Sequence, residues 1–463
     1  MMPLTVQALI EATGGRLCRG RMDQEVTHIS IDSRTIKEGA LFFPLVGEKH
    51  NGHDFLKQAL LKGAVGSFFS PAFCREDNLP PGDKIFIEVP DTLRALQDVA
   101  RFHRKRLQAK VIAVTGSTGK TTSKDLIHAV LSQKYLSLKN RGNLNNQIGL
   151  PLTLLELTAR HEVAVLEMAM RAPGEISFLT FLADPQMAVI TNIGESHLEI
   201  LESKERIARA KGELIYWLDK DGIALLNGDD PFCRRLALLT EAKTVFFGFS
   251  EECHFRAEKE VKLNKDSTDF TVCFPGGERE KFSVPLPGRH HVYNALAAVA
   301  VGALLEIDFL SMKEGLKNAR VTGMRTEILR SAKGFEIISD VYNASPSSMR
   351  AALEVLAGFE GRPLIAVLGD MLELGARSAL FHQEIGAEAA AKGLDHLVLT
   401  GAFCDHYQKG ALTGGMSPDK IFRCKDLTEI KQILSKIISP GAVVLVKGSR
   451  ALQLEHVVKH LLQ

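Results

Sequence analysis

The residues best suited to chemistry sit in one short stretch. A β-branched run, Val111-Ile112-Ala113-Val114-Thr115, stops at Gly116-Ser117-Thr118-Gly119-Lys120-Thr121-Thr122, and residues 123–131 then read as helix. Glycines let backbone N–H groups approach an anion closely, and a helix N-terminus adds partial positive charge. A lysine placed here reaches terminal phosphates, and a threonine hydroxyl can ligate Mg²⁺. The loop is shorter than the full eight-residue pattern, because Val114 stands where that pattern has its first glycine. An ordinary glycine turn after a buried strand is the competing reading. The strand before and the helix after favour a phosphate.

Further candidates follow downstream. His161 to Met168 (HEVAVLEM) reads as an apolar strand ending in Glu167. An acid at such a strand end, near a phosphate loop, is where a nucleotide's Mg²⁺ is held; capping a following turn is the alternative. His197 follows the apolar run Ala188 to Thr191, on the edge where α/β sheets bind ligands, although a lone histidine is more often structural. Lys211 lies on a helix over residues 205–218, where lysines are normally solvated. Asn294 falls in the first turns of a small-residue helix and either reads a base edge or bonds locally. Ser33-Arg34 could hold a phosphate, but on residue type alone a turn cap is the better reading. Asn140 to Pro151 (NRGNLNNQIGLP) is too rich in Asn and Gly for a helix interior, and reads as a functional loop or as turn chemistry.

These residues need a scaffold. Strand-like runs at 111–114, 163–166, 188–191, 223–226 and 244–247 alternate with helical stretches, which predicts a doubly wound parallel sheet. A small α/β domain is expected before it (residues 1–90), with the central domain over 91–320. A third, Rossmann-like α/β domain over 321–463 is expected from the apolar runs at 337–340, 365–368, 397–400 and 443–446. Gly323-Met324-Arg325-Thr326-Glu327 is the candidate linker. Three loops in this last part could carry chemistry: Asp340 to Met349, Gly369 to Gly375, and Lys447 to Arg450. The class is therefore α/β with three domains, which suits a chain of 463 residues that is 45% apolar.

Composition narrows the partners. A net charge of +2 argues against a nucleic-acid stripe, and no apolar run is long enough to span a bilayer. Met1-Met2-Pro3-Leu4-Thr5 lacks a basic leader and an apolar core, so no signal peptide is expected. Seven scattered cysteines without C-x-x-C spacing argue against zinc and against a disulfide framework. A soluble cytoplasmic protein is expected.

Taken together and in order, these stretches resemble the Mur ligases, the ATP-dependent amide-forming enzymes of peptidoglycan precursor synthesis. The resemblance rests on DSRTIKEGALFFPLVGEKHNGHDF, TGSTGKTT, GNLNNQIGLPLTLL, LEMAMRAPGEI, TNIGESHLE, the Lys211 helix, HHVYNALAA, DVYNASPSSM, LGDMLELG and VKGSR. The YNASPSSM and LGDMLELG stretches are similar to the branch that adds D-alanyl-D-alanine to a UDP-N-acetylmuramoyl-tripeptide. The resemblance implies that Gly116, Ser117, Thr118, Gly119, Lys120, Thr121 and Thr122 bind ATP phosphates. It implies that Thr121, Glu167, His197 and a carbamylated Lys211 hold Mg²⁺, and that Asn294, Arg325 and Asp340 contact the nucleotide. Ser33 and Arg34 would face the UDP-sugar, and Tyr342 and Asn343 the other substrate. A monomer is expected. The chain departs from the family pattern at Ala169 and His291, usually glycine and asparagine, and at Ser196 and Ser345, usually alanine and asparagine.

Overall fold

The computed structural model describes residues 1–323 and 326–463 and divides into two compact units. The first holds residues 1–113, 135–169 and 175–186, and the second holds 114–134, 170–174 and 187–463. The strand Lys110–Thr115 gives its first four residues to one unit and its last two to the other.

In the first unit a five-stranded sheet runs in the order Arg16–Arg19, Ile85–Glu88, Gly66–Phe69, Ala40–Phe42, His28–Ser30. Only the first pairing is antiparallel, and it carries a register shift between Leu17 and Arg19. The aromatic side chains Phe42, Phe69 and Phe86 fill the space beneath it with Leu56 and Leu79. The chain opens with the short strand Leu4–Thr5. The helix Val6–Thr13 follows because the Thr5 hydroxyl accepts the Ala8 N–H and Gly14 closes the far end in a left-handed turn. The helix Thr92–Lys105 is capped by Asp91. Near its end the buried Arg104 donates to the carbonyls of Ala183, Leu107 and Asp184, which answers its charge without a carboxylate. The parallel strands Ser137–Lys139 and Val163–Glu167 also belong here. Residues 149–151, read as part of a loop, open the helix Gly149–Glu156.

In the second unit the strands Met187–Ile190, Ile223–Asn227, Lys243–Gly248 and Phe255–Ala257 pair in parallel. Antiparallel strands Thr268–Cys273, Arg279–Val284 and Lys262–Leu263 extend this edge and were not anticipated from the sequence. Thr268–Cys273 alternates strictly between buried and half-buried residues, the mark of a strand with one face covered. A six-stranded sheet follows, ordered Glu327–Arg330, Glu336–Asp340, Val443–Lys447, Leu364–Leu368, His396–Thr400, Ile421–Cys424. All but its first pairing are parallel. Continuous apolar strands such as LIAVL and VVLVK are buried on both faces, as a helix-covered parallel sheet requires. All seven cysteines are free thiols.

Candidate active site

In the second unit the phosphate loop has the predicted form. Gly116 (φ 148°) and Gly119 (φ 79°) occupy backbone regions that suit glycine. Added Cβ atoms would lie 2.0 Å from the Thr191 hydroxyl oxygen and 2.4 Å from Asn294 Oδ1 respectively. The helix starts three residues earlier than read, as Lys120–Leu131, and no side chain caps it. A helix start without a side-chain cap presents backbone donors to an anion.

The TNIG stretch holds this loop in place. Ser117 N–H donates to the Asn192 carbonyl at 2.9 Å, and Thr118 N–H to Asn192 Oδ1 at 3.0 Å. Asn192 Nδ2 and the Thr191 hydroxyl both donate to the Thr118 carbonyl, at 3.1 and 2.6 Å. Ser196, one of the departures from the family pattern, donates to the Ser117 hydroxyl at 3.0 Å, which in turn donates to the Gly194 carbonyl. Lys120 Nζ lies back over its own loop and donates to the carbonyls of Gly116 and Ser117, at 2.8 and 3.2 Å.

Lys211 is not solvated, contrary to the ordinary expectation for a helix lysine. It lies on the helix Lys204–Tyr216 and is 1% exposed. Its amine makes no hydrogen bond or ion pair among the described residues; the charge it senses is that of Lys120, of like sign. Burial, reinforced by Lys120, holds its pKa well below the usual lysine range.

His197 sits in left-handed backbone (φ 55°) just before the single-turn helix Leu198–Leu201. Its Nδ1 is 2.6 Å from Glu373 Oε2, although the ring N–H is not aimed along that line. That proximity lowers the pKa of Glu373.

Asn294 is buried against the loop: it accepts from the Ser123 hydroxyl of the phosphate-loop helix at 3.1 Å and meets His291 Nδ1, on its own helix, through Nδ2 at 3.3 Å. Asp340 ends its strand and accepts from the buried Lys447 Nζ at 2.6 Å, and Lys447 also donates to the Asn343 carbonyl at 2.9 Å. Tyr342 is half-buried and Asn343 exposed beside them. Near this pair the half-buried His290 is pushed down to about 4, chiefly by desolvation of its ring. Arg325 lies outside the described residues. Just before it, the backbone N–H and hydroxyl of Thr322 both donate to Asp125, on the phosphate-loop helix, at 2.7 and 2.8 Å.

In the first unit Glu167 closes its strand at 2% exposure. The Asn-rich loop grips it: Asn140 exchanges hydrogen bonds with the Glu167 backbone at 2.9 and 3.0 Å, and Asn145 Nδ2 donates to Oε1 at 2.8 Å. Ser33 donates to Gln58 Oε1 at 2.8 Å. Arg34 folds back onto Asp32 with a two-pronged contact at 2.9 and 2.8 Å, which lowers Asp32 to about 2. Arg34 thus lies on its own turn through Asp32, while Ser33 reaches across to Gln58.

The second unit thus gathers the phosphate loop, His197, Lys211, Asn294 and Asp340, whereas Glu167, Ser33 and Arg34 belong to the first. Sequence reasoning missed Asn192, Glu373 and Lys447 as individuals. Each lay in a quoted stretch, TNIG, LGDMLELG or VKGSR, but only the folded contacts single it out.

Gly119→Ala should lower stability by about 1–2 kcal/mol through left-handed strain. It should also push Asn294 away and weaken ADP binding roughly tenfold, about 1.4 kcal/mol, which thermal unfolding and calorimetric titration would measure.

Three family models match in succession: "Mur ligase family, catalytic domain" over 25–104, "Mur ligase middle domain" over 114–302, and "Mur ligase, glutamate ligase domain" over 324–450. The chain is 39% identical to the UDP-N-acetylmuramoyl-tripeptide--D-alanyl-D-alanine ligase of Bacillus subtilis, over 100% of this chain and 99% of that protein. It is 34% identical to the Escherichia coli protein of the same name, with the same coverage. Among solved structures it superposes on MurF from Acinetobacter baumannii with a TM-score of 0.90 at 31% identity, covering 100% and 99% of the two chains. The Thermotoga maritima MurF ligase in complex with ADP matches with a TM-score of 0.80 at 29% identity, covering 93% and 96%. With its phosphate loop, its buried lysine and these full-length likenesses, the chain belongs to the Mur ligase family and has that family's three-domain α/β fold.

Proposed function

We propose that this chain joins D-alanyl-D-alanine to UDP-N-acetylmuramoyl-tripeptide at the expense of ATP, giving the pentapeptide precursor of peptidoglycan. Residues 1–90 would take the UDP-substrate, 91–320 ATP, and 321–463 the dipeptide, in a cytoplasmic monomer. The full-length likeness to relatives of that name supports the substrates. The observation that carries the chemistry is Lys211, a buried amine with no counter-charge among the described residues, near enough to the phosphate-loop lysine to sense its charge.

A carboxylate is a poor electrophile. In the proposed reaction the tripeptide's terminal carboxylate oxygen attacks the γ-phosphorus, and ADP leaves with the electron pair of the broken P–O bond. The dipeptide amine then attacks the acyl carbon, inorganic phosphate departs, and the ammonium proton passes to solvent. The first step brings two anions together, and Lys120 would offset that repulsion. Held neutral, the Lys211 amine can add CO₂ and lose a proton, which turns a cation into a carboxylate-like oxygen ligand. Thr121, Glu167 and His197 would be the other Mg²⁺ ligands, oxygen and imidazole donors of a kind that hard cation takes. Mg²⁺, when bound, supplies further neutralising charge. Asn294, Arg325 and Asp340 would contact the nucleotide, Ser33 and Arg34 the UDP-sugar, and Tyr342 and Asn343 the dipeptide.

Phosphate release tests the reading. Purified protein with ATP and Mg²⁺ should release phosphate in step with product only when both the UDP-tripeptide and D-alanyl-D-alanine are present. Release indifferent to both substrates would mark an ATPase of another kind, and activity with a single amino acid or with folate and glutamate would mark a sister ligase.

A further inference from the structure

The loop Asp370 to Gly375 is braced far more firmly than a connecting loop needs. Met371 N–H donates to His382 Nε2 at 2.9 Å, Leu372 N–H to the Ser449 hydroxyl at 3.0 Å, and Ser449 N–H to the Asp370 carbonyl at 3.0 Å. His382 is itself fixed by its Nδ1 contact with the Ser378 carbonyl at 2.6 Å. The loop meets the His197 segment at two points besides the side chains. Glu199 N–H donates to the Glu373 carbonyl at 3.1 Å, and a Cβ on Gly375 would stand 3.1 Å from the Glu199 Cα. Both His197 (φ 55°) and Glu373 (φ 64°) adopt left-handed backbone without being glycine. Such strain persists only where the surroundings over-determine it, and it concentrates at working sites. Between these two strained residues the Glu373 carboxylate comes to within 2.6 Å of His197 Nδ1.

We propose that Glu373 is a positioning residue for His197: a turn of the ring aims Nδ1–H at the carboxylate already beside it and leaves the Nε2 lone pair for the divalent cation. The inference rests on the metal role proposed for His197. Free imidazole side chains have no such orientation, and a carboxylate behind a ligating histidine fixes tautomer and ring direction and raises ligand basicity. Because Glu373 arrives on a loop of the C-terminal sheet, His197 becomes a competent ligand only when that sheet's loop is docked. Cation affinity and docking of the C-terminal part are then one event.

The test uses the full-length protein with ADP and Mn²⁺ as the probe, read by electron paramagnetic resonance, and ¹⁵N-histidine NMR to read the tautomer. Glu373→Ala should weaken Mn²⁺ binding roughly 10- to 100-fold and move His197 away from the Nδ1–H tautomer. Glu373→Gln, which keeps an acceptor but no charge, should fall between. Glu373→Ala with Mn²⁺ affinity within about twofold of wild type and an unchanged tautomer would overturn the proposal, provided His197→Ala loses Mn²⁺ affinity. Mn²⁺ affinity untouched by His197→Ala would instead remove the metal role of His197, and the proposal with it.

Discussion

Lys120→Ala is expected to lower kcat by about 10³-fold or more, the scale on which single charges act in phosphoryl transfer. The ammonium now rests on the Gly116 and Ser117 carbonyls, one end of a flexible four-carbon stem anchored at the first helical residue. A terminal phosphate has only to draw it across the loop. Two anions must meet in the first step, so the charge matters most in the transition state, and KM for ATP should change far less than kcat. Lys120→Arg should not restore the rate, because a planar fork cannot take the place of a compact point charge. Folding should be almost unaffected, since Lys120 is half-buried. Steady-state kinetics alongside thermal unfolding separates the two effects. A variant within tenfold of wild-type kcat would remove Lys120 from the chemistry.

The second large effect has two opposite parts. Lys211→Ala is expected to lose roughly 10²- to 10³-fold in rate, the range for removing one preorganised charge-stabilising group. Formate or acetate should recover part of it by occupying the place of the carbamate. Near-wild-type activity without rescue would refute the carbamate role. Lys211→Met, by contrast, should be more stable than wild type, by about 0.5–2 kcal/mol, when CO₂ is excluded. The sign follows from proton counts. The folded-state pKa of Lys211 is depressed by burial, so below the ordinary lysine pKa the unfolded chain binds a proton that the folded chain does not. Stability therefore falls as pH drops from about 10.4 toward that depressed value, and the penalty is in place at neutral pH. Lys211→Met should abolish this slope, which unfolding midpoints between pH 7 and 10 would record. A residue that costs stability and supports the rate is a familiar compromise at active sites.

How much of this was legible depended on whether one local pattern carried the signal. The phosphate loop is such a pattern, since strand, glycines, lysine and helix are contiguous and the structure reproduces them. Glu167 was legible for the same reason, as the last residue of a buried run. The parallel strands of both sheets are short apolar runs that can be read directly. The antiparallel strands at 268–284 are not such runs: their buried residues alternate with polar ones, as in TDFTVC, so no continuous apolar stretch marks them. Lys211 shows the opposite limit. Residue type says that a helix lysine is solvated, and only tertiary packing buries it. The contact between His197 and Glu373 joins residues far apart in the chain, so neither stretch announces the other. Ser33-Arg34 illustrates a third case: Arg34 bonds to its sequence neighbour Asp32, whereas Ser33 bonds to Gln58, a partner that the local stretch does not announce.

One feature of the phosphate loop has a consequence for how a nucleotide is received. Asn192 offers Thr118 both an acceptor and a donor from its side-chain amide, so it behaves as a surrogate peptide group, adding a rung where the backbone ladder has ended. The shortened loop is therefore braced before a nucleotide arrives. Its ordering entropy is met when the chain folds rather than when ATP arrives, so binding need not bear that cost again. Thr118's amide should accordingly exchange its hydrogen slowly even without nucleotide, as a core amide does rather than a surface turn.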